Sequence, residues 1–156
     1  MTFRSKVRTC FWFESRGLEA AEFYVSLLPW SAIDAVYPHG KPDDPMIVEF
    51  TLHGSPMMII SAGPRYKLSP AASISVLTKD QDETDRLWSA LVADVGVEGR
   101  CGWLTDRWGV SWQIVPEALP RLLGAPDRAA AGRAQAAMMQ MNKIDIAALE
   151  AAFNAS

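Results

Sequence analysis

The sequence predicts an α+β fold in which two βαβββ modules are followed by a helical tail. Three observations lead there. Residues Cys101–Pro116, CGWLTDRWGVSWQIVP, set aromatic and β-branched residues on both sides of a Gly-containing turn at Trp108-Gly109, the strongest hairpin signal in the chain. The order of strand-like and helix-like segments then occurs twice. Beyond Pro116 the composition shifts to an Ala-rich stretch that favours helix.

In chain order, Val7–Phe13 (VRTCFWF) is a short apolar run that fits a buried strand. From Leu18 to Leu28, the residues Leu18, Ala21, Tyr24, Val25 and Leu28 share one helical face, and Pro29 stops the helix. Ser31–Tyr37 reads as a strand and His39–Pro45, rich in Pro, Gly and Asp, as a loop. Met46–Leu52 and Pro56–Ser61 make a second hairpin around His53-Gly54-Ser55. The second module opens with a strand at Ala72–Leu77. Asp80 and Glu83 then have capping-box spacing for a helix running to about Ala93, with Thr84, Leu87, Trp88, Leu91 and Val92 inward. A short strand near Val95–Gly99 leads into the hairpin, whose strands are Cys101–Asp106 and Val110–Val115.

The halves can be laid on each other. An offset of 64 pairs Phe23-Tyr24 with Leu87-Trp88, Thr9 with Ser73 and Phe13 with Leu77; the turns at His53-Gly54 and Trp108-Gly109 pair at 55. Identity is low, so element order is what repeats. The modules occupy about 5–63 and 71–116 of a single domain, and the tail 117–156. In the tail, Glu117–Leu123 forms a short helix with Gly124 at its C′ position, Asp127–Met141 a second, and Asp145 caps a third, Ile146–Phe153.

At 156 residues the chain is long enough for one well-buried domain. A net charge of −3 leaves no electrostatic footprint for nucleic acid, and the basic cluster Arg4, Lys6, Arg8 reads as a solvated strand end. No apolar run approaches the roughly 20 residues of a membrane helix. The apolar stretch Cys10–Phe13, cut off by Glu14, is too short for a secretory leader. The expectation is a cytoplasmic protein with no membrane or nucleic-acid partner, in which Cys10 and Cys101 are reduced thiols.

Several stretches carry a resemblance: CFWF at Cys10–Phe13, AAEFYVSLLP at Ala20–Pro29, VEFTLHG at Val48–Gly54 and AGPRYKL at Ala62–Leu68. Further on come DQDETDRLWSAL at Asp80–Leu91, the CGWLTDRWGVSWQIVP hairpin and MMQMNKIDIAALEAA at Met138–Ala152. With two βαβββ units, the chain resembles the vicinal-oxygen-chelate superfamily of glyoxalase I, bleomycin-resistance proteins and ring-cleaving dioxygenases. More narrowly it is similar to the PhnB-like family, whose domain also carries the name 3-demethylubiquinone-9 3-methyltransferase. The resemblance covers nearly the whole chain. It implies paired modules that wrap a cupped mixed sheet around a pocket, in a homodimer.

Metal-dependent members of that superfamily hold one divalent ion with four side chains, His and Glu as a rule, one from each of four strands. Carried over by strand position, those places fall on Thr9 (or Arg8), Met58 (or Ile59), Ser73 and Gln113. None is an imidazole or a carboxylate, the donors a first-row metal needs, so neither a metal nor another cofactor is expected. His39 and His53, the only histidines, fall in or beside turns, and Glu49 is a lone carboxylate on a strand.

Other residues carry chemistry of their own. Asp106, beside the Trp108-Gly109 turn, is a weak candidate general base, with a turn-stabilising role as the alternative. Cys101 is a weak candidate nucleophile that reads more readily as an inert thiol. Trp12, Ser73, Trp103, Ser111 and Gln113 are the candidate ligand-binding residues: tryptophan walls and neutral groups that fix a polar ligand without ionising. Trp108 and Trp112 are alternative walls or core, and Met138, Met139 and Met141 suit either a lid or a cover over a partner or sheet edge. No G-x-G-x-x-G turn leads from a strand to a helix, so methyltransferase chemistry finds no support. The expected function is metal-free binding of a small, partly apolar or aromatic molecule. The alternative is a superfamily lyase, isomerase or dioxygenase with a non-standard metal site.

Overall fold

Thr9–Phe13 forms β1, the first strand of a four-stranded sheet, in a computed structural model that describes residues 5–156 (for 39–41, the backbone alone). Arg4 of the basic cluster lies outside the described residues. The chain divides into two units, Met1–Leu68 and Ser69–Ser156.

The first unit continues with α1 (Gly17–Leu27), β2 (Ala32–Lys41), β3 (Asp44–Leu52) and β4 (Ser55–Ser61). The sheet order is β1-β4-β3-β2, with β1 parallel to β4 and the other pairs antiparallel. Phe11, Phe13, Val48, Phe50 and Ile59 are buried on the face that meets α1, where the Tyr24 ring lies 6.4 Å from that of Phe50. Gly17 lets the helix start this close: a Cβ there would collide with Ser61 Oγ and Ile59 Cγ2.

The segment His39–Pro45 is not a loop. It completes β2 and opens β3, with Lys41 paired to Asp44 across a short turn. Because β2 is an edge strand, Pro38 interrupts no central ladder, and a register shift between Tyr37 and Gly40 absorbs the irregularity. At the β3–β4 turn, His53 and Gly54 have φ of 46° and 81°, the left-handed pair a two-residue hairpin loop needs.

The second unit repeats the order with β5 (Ser73–Thr78), α2 (Gln81–Val92), β6 (Val97–Glu98), β7 (Trp103–Thr105) and β8 (Ser111–Pro116), arranged β5-β8-β7-β6. Asp80 caps α2, accepting from the Glu83 amide at 2.8 Å, while the Glu83 carboxylate accepts from the Lys79 amide at 2.9 Å. Leu87, Trp88 and Leu91 of α2 are buried with Leu104, Trp112 and Ile114 of the sheet, so Trp112 is core.

The hairpin's first strand begins later than expected, since Cys101 and Gly102 both have left-handed backbones (φ 59° and 84°) and form a turn. Gly109 (φ 90°) donates to the Asp106 carbonyl at 3.0 Å, and the Asp106 amide donates to that of Val110 at 2.9 Å. That is a type I turn closed by a glycine bulge, so the returning strand starts at Ser111 rather than Val110.

The offset that aligns the two helices leaves β1 and β5 one residue out of step. Phe13 is 3% exposed on the face toward α1, whereas Leu77 is 62% exposed on the opposite face of its own sheet. A one-residue slip in a strand turns every side chain over, so Thr9 and Ser73 are not equivalent in direction.

The tail forms α3 (Ala118–Leu123), α4 (Arg128–Met138) and α5 (Ile146–Asn154), the last two capped by Asp127 and Asp145. Gly124 is not left-handed (φ −86°); its amide closes the last turn onto Pro120. Leu119, Leu122, Ala134, Ile144 and Leu149 make a core against which Met138 and Met141 pack, while Met139 stays exposed. A strap, Met141–Ile144, ties the tail to the module. Cys101 and Gly102 donate amide hydrogens to the Met141 and Asn142 carbonyls, both at 2.8 Å. The Gln81 amide group donates to the Ile144 carbonyl (3.1 Å) and accepts from the Ile146 amide (2.9 Å).

Two carboxylates fasten this strap. Hydrogen bonds from the Trp88 indole and then Asn142 hold Glu98 below its usual pKa, and hydrogen bonds from Lys143 and then Gln81 do the same for Asp85. A carboxyl held low in the fold contributes stability that is present above its ordinary pKa and lost as pH falls through the lower folded value. Protection factors of the Cys101 and Gly102 amides are therefore expected to drop as pH falls below the ordinary carboxylate range of about 4. Hydrogen exchange checks this, and flat protection below that range would count against it.

Candidate functional site

Each sheet has one face covered by its helix and one turned away from it; the latter carries the polar groups. In the first unit, strand register places Arg8, Cys10 and Trp12 of the β1 segment, Met58 and Ile60 of β4, and Glu49 of β3 on that open face. Thr9 and Ile59 fall on the side of α1, so Arg8 and Met58 are the residues at the carried-over positions. Arg8 forms an ion pair with Glu49. Trp12 donates from its indole to the Gly63 carbonyl at 2.9 Å and meets the Tyr66 ring edge-on at 4.9 Å, which fixes its plane. Cys10 is exposed as a residue, yet desolvation raises its thiol above the usual value, the reverse of an activated nucleophile.

In the second unit the face turned from α2 holds Ser73, Ser75 and Leu77 of β5, Ser111, Gln113 and Val115 of β8, and Trp103 and Thr105 of β7. Ser111 is buried there and Val115 packs against the tail core, so the face is open toward Ser73, Ser75 and Gln113 rather than along its whole length. Gln113 lies between Ser75 and Trp103 in one row across three strands, and its Nε2 donates to Ser73 Oγ at 2.9 Å. Thus Ser73, Trp103, Ser111 and Gln113 share one face. Trp12 belongs to the other unit.

Asp106 is 3% exposed, and its carboxylate is the hub of the hairpin. Oδ1 accepts from the Trp108 and Val110 amides (2.9 and 3.0 Å), and Oδ2 accepts from the Trp112 indole (2.9 Å). Cys101 points its sulfur at Met139 Sδ, 3.7 Å away, with no histidine anywhere in its unit. His53 bonds through Nδ1 to the Pro29 carbonyl (3.1 Å) beside the Trp30 ring; the His39 side chain lies outside the described residues.

These groups do not fit a divalent ion. Ser73 and Gln113 are neutral and already bonded to each other, Met58 is a soft thioether, and Arg8 brings a fixed cation. Among the described residues no group of three or more His, Cys, Asp or Glu side chains could hold a metal. The strand-to-helix turns fit a nucleotide-like cofactor no better: at the start of α2 the Glu83 amide is already taken by the Asp80 carboxylate, and the amide of Arg16, before α1, is bonded to Asp44.

Sequence reasoning missed the Arg8–Glu49 pair and the Gln113–Ser73 bond. Strand alternation was the available signal for both, and it becomes decisive only once register is known.

The paired βαβββ units and their sheet order define a protein of the vicinal-oxygen-chelate fold. The chain belongs to the 3-demethylubiquinone-9 3-methyltransferase family, also called PhnB-like, whose pattern matches residues 5–115. The match stops short of the tail, so Met138–Ala152 lies beyond it. Among solved structures, the chain is similar to the PhnB protein of Bacillus cereus, with 29% identity over 72% of this chain and 99% of that one, at a TM-score of 0.66. The protein PA1353 of Pseudomonas aeruginosa shares the fold at 22% identity over 73% and 98% of the two chains, at 0.60. No curated protein matches the chain.

Proposed function

We propose that this chain is a metal-free binding protein that works as a cytoplasmic homodimer. It takes a small, partly apolar or aromatic molecule on the face of a sheet turned from its helix, the candidate contacts being Ser73, Trp103, Ser111 and Gln113 in the second unit and Trp12 in the first. The observation that carries this reading is the Gln113–Ser73 bond: two places where the superfamily's metal-dependent members put ligands hold neutral groups bonded to each other. Asp106, the nearest approach to a general base, has both carboxylate oxygens engaged within the hairpin. Self-association is supported by exposed apolar residues on edge strands, Val36 and Tyr37 on β2 and Val97 on β6. No helix among the described residues is long and apolar enough to cross a membrane.

Isothermal titration with nickel, cobalt, manganese and zinc tests the metal claim. No saturable heat is the expected result, and one-to-one binding at micromolar affinity would overturn it. Light scattering on the purified chain is expected to give twice the monomer mass.

A further inference from the structure

We infer that the open face of the second unit selects an uncharged ligand with a lactam or cis-amide edge. This rests on the binding reading above and specifies its chemistry. Ser73, Ser75, Thr105, Ser111 and Gln113, the face's polar members, are all neutral. A charged ligand seated there would lose hydration with no counter-charge on that face to replace it, a cost that grows as water is excluded.

The polar pair at its centre is also directional. Gln113 spends one amide hydrogen on Ser73 Oγ, which holds its carboxamide plane and leaves Oε1 as an acceptor. Ser73, accepting that bond, keeps its own O–H to donate. An acceptor and a donor so set side by side are the complement of an N–H next to a C=O. Trp103, directly across from Gln113 on β7, offers a ring beside the pair for a flat ligand body. A site built to bond both atoms rejects an analogue lacking one of them, because its own polar group is then left without a partner.

Four probes of similar size separate the possibilities: oxindole, N-methyloxindole, phenylacetate and phenethylamine. Each is titrated into the full chain by ligand-observed NMR and calorimetry. Oxindole is expected to bind at least about tenfold tighter than the other three, the cost of one unmade bond or one unpaired charge. Ser73→Ala, which removes the donor to the lactam C=O, should weaken oxindole and N-methyloxindole by a similar factor and leave the ratio between them standing, with the fold checked by circular dichroism. Equal binding of oxindole and its N-methyl form, or tighter binding of either charged probe, would overturn the inference and leave small-molecule binding intact. If none of the four binds, both fall.

Discussion

Asp106→Ala is expected to lower the stability of the second unit by about 3–5 kcal/mol, since three hydrogen-bond donors lose their acceptor at once and each lost partner costs about 1–3 kcal/mol. The carboxylate ties the Trp108 and Val110 amides and the Trp112 indole, and so joins the turn to the core. A drop in melting temperature of about 10 °C follows for a chain of this size. Asp106→Asn, which keeps one acceptor oxygen, should fall between the two. Thermal melts followed by near-ultraviolet dichroism of the tryptophans check this. A loss under about 1 kcal/mol for the alanine variant would mean that the hairpin does not depend on this residue, and would reopen a chemical role for it.

Ile144→Asp is the second large effect. Ile144 is fully buried between the tail helices and Gly102, where a Cβ would stand 3.2 Å from its Cγ1. Truncating such a side chain costs about 2–5 kcal/mol, and an unpaired carboxylate adds to that. The strap is expected to release, exposing Lys143 and, before it, Arg133 to trypsin, while Ile144→Val stays within about 1.5 kcal/mol of the parent. Trypsin resistance in Ile144→Asp would show that the tail is not held by this residue.

Much of the fold was legible because the local signals agreed with it. Asp80, Asp127 and Asp145 cap the helices they precede, and the His53-Gly54 turn has the two-residue geometry its sequence announces. The failures have physical causes. His39–Pro45 has turn composition, yet pairing between β2 and β3 holds most of it extended, with Pro42 in the turn itself and Pro45 at the start of β3, before its pairing with β4 begins. Cys101 was counted into a strand because nothing in a lone cysteine signals the left-handed backbone imposed by the strap at Met141 and Asn142.

The site was legible as chemistry and not as direction. That Ser73 and Gln113 are poor metal donors needs only their identities. That they bond each other, and that Arg8 rather than Thr9 shares a face with Met58, needs register, which the helix-based alignment of the halves misplaced by one residue. The tail was legible as helices, but its docking depends on Gln81, which reaches Ile144 and Ile146 more than sixty positions away in the chain.

The central claim is that the paired strands β1–β4 and β5–β8 offer no grip for a divalent cation. Elemental analysis by mass spectrometry, on protein expressed in rich medium and purified without chelator, tests it most directly. The account predicts well under one transition-metal ion per chain for every element measured. A stoichiometric ion that survives dialysis and is lost in Gln113→Ala would contradict it.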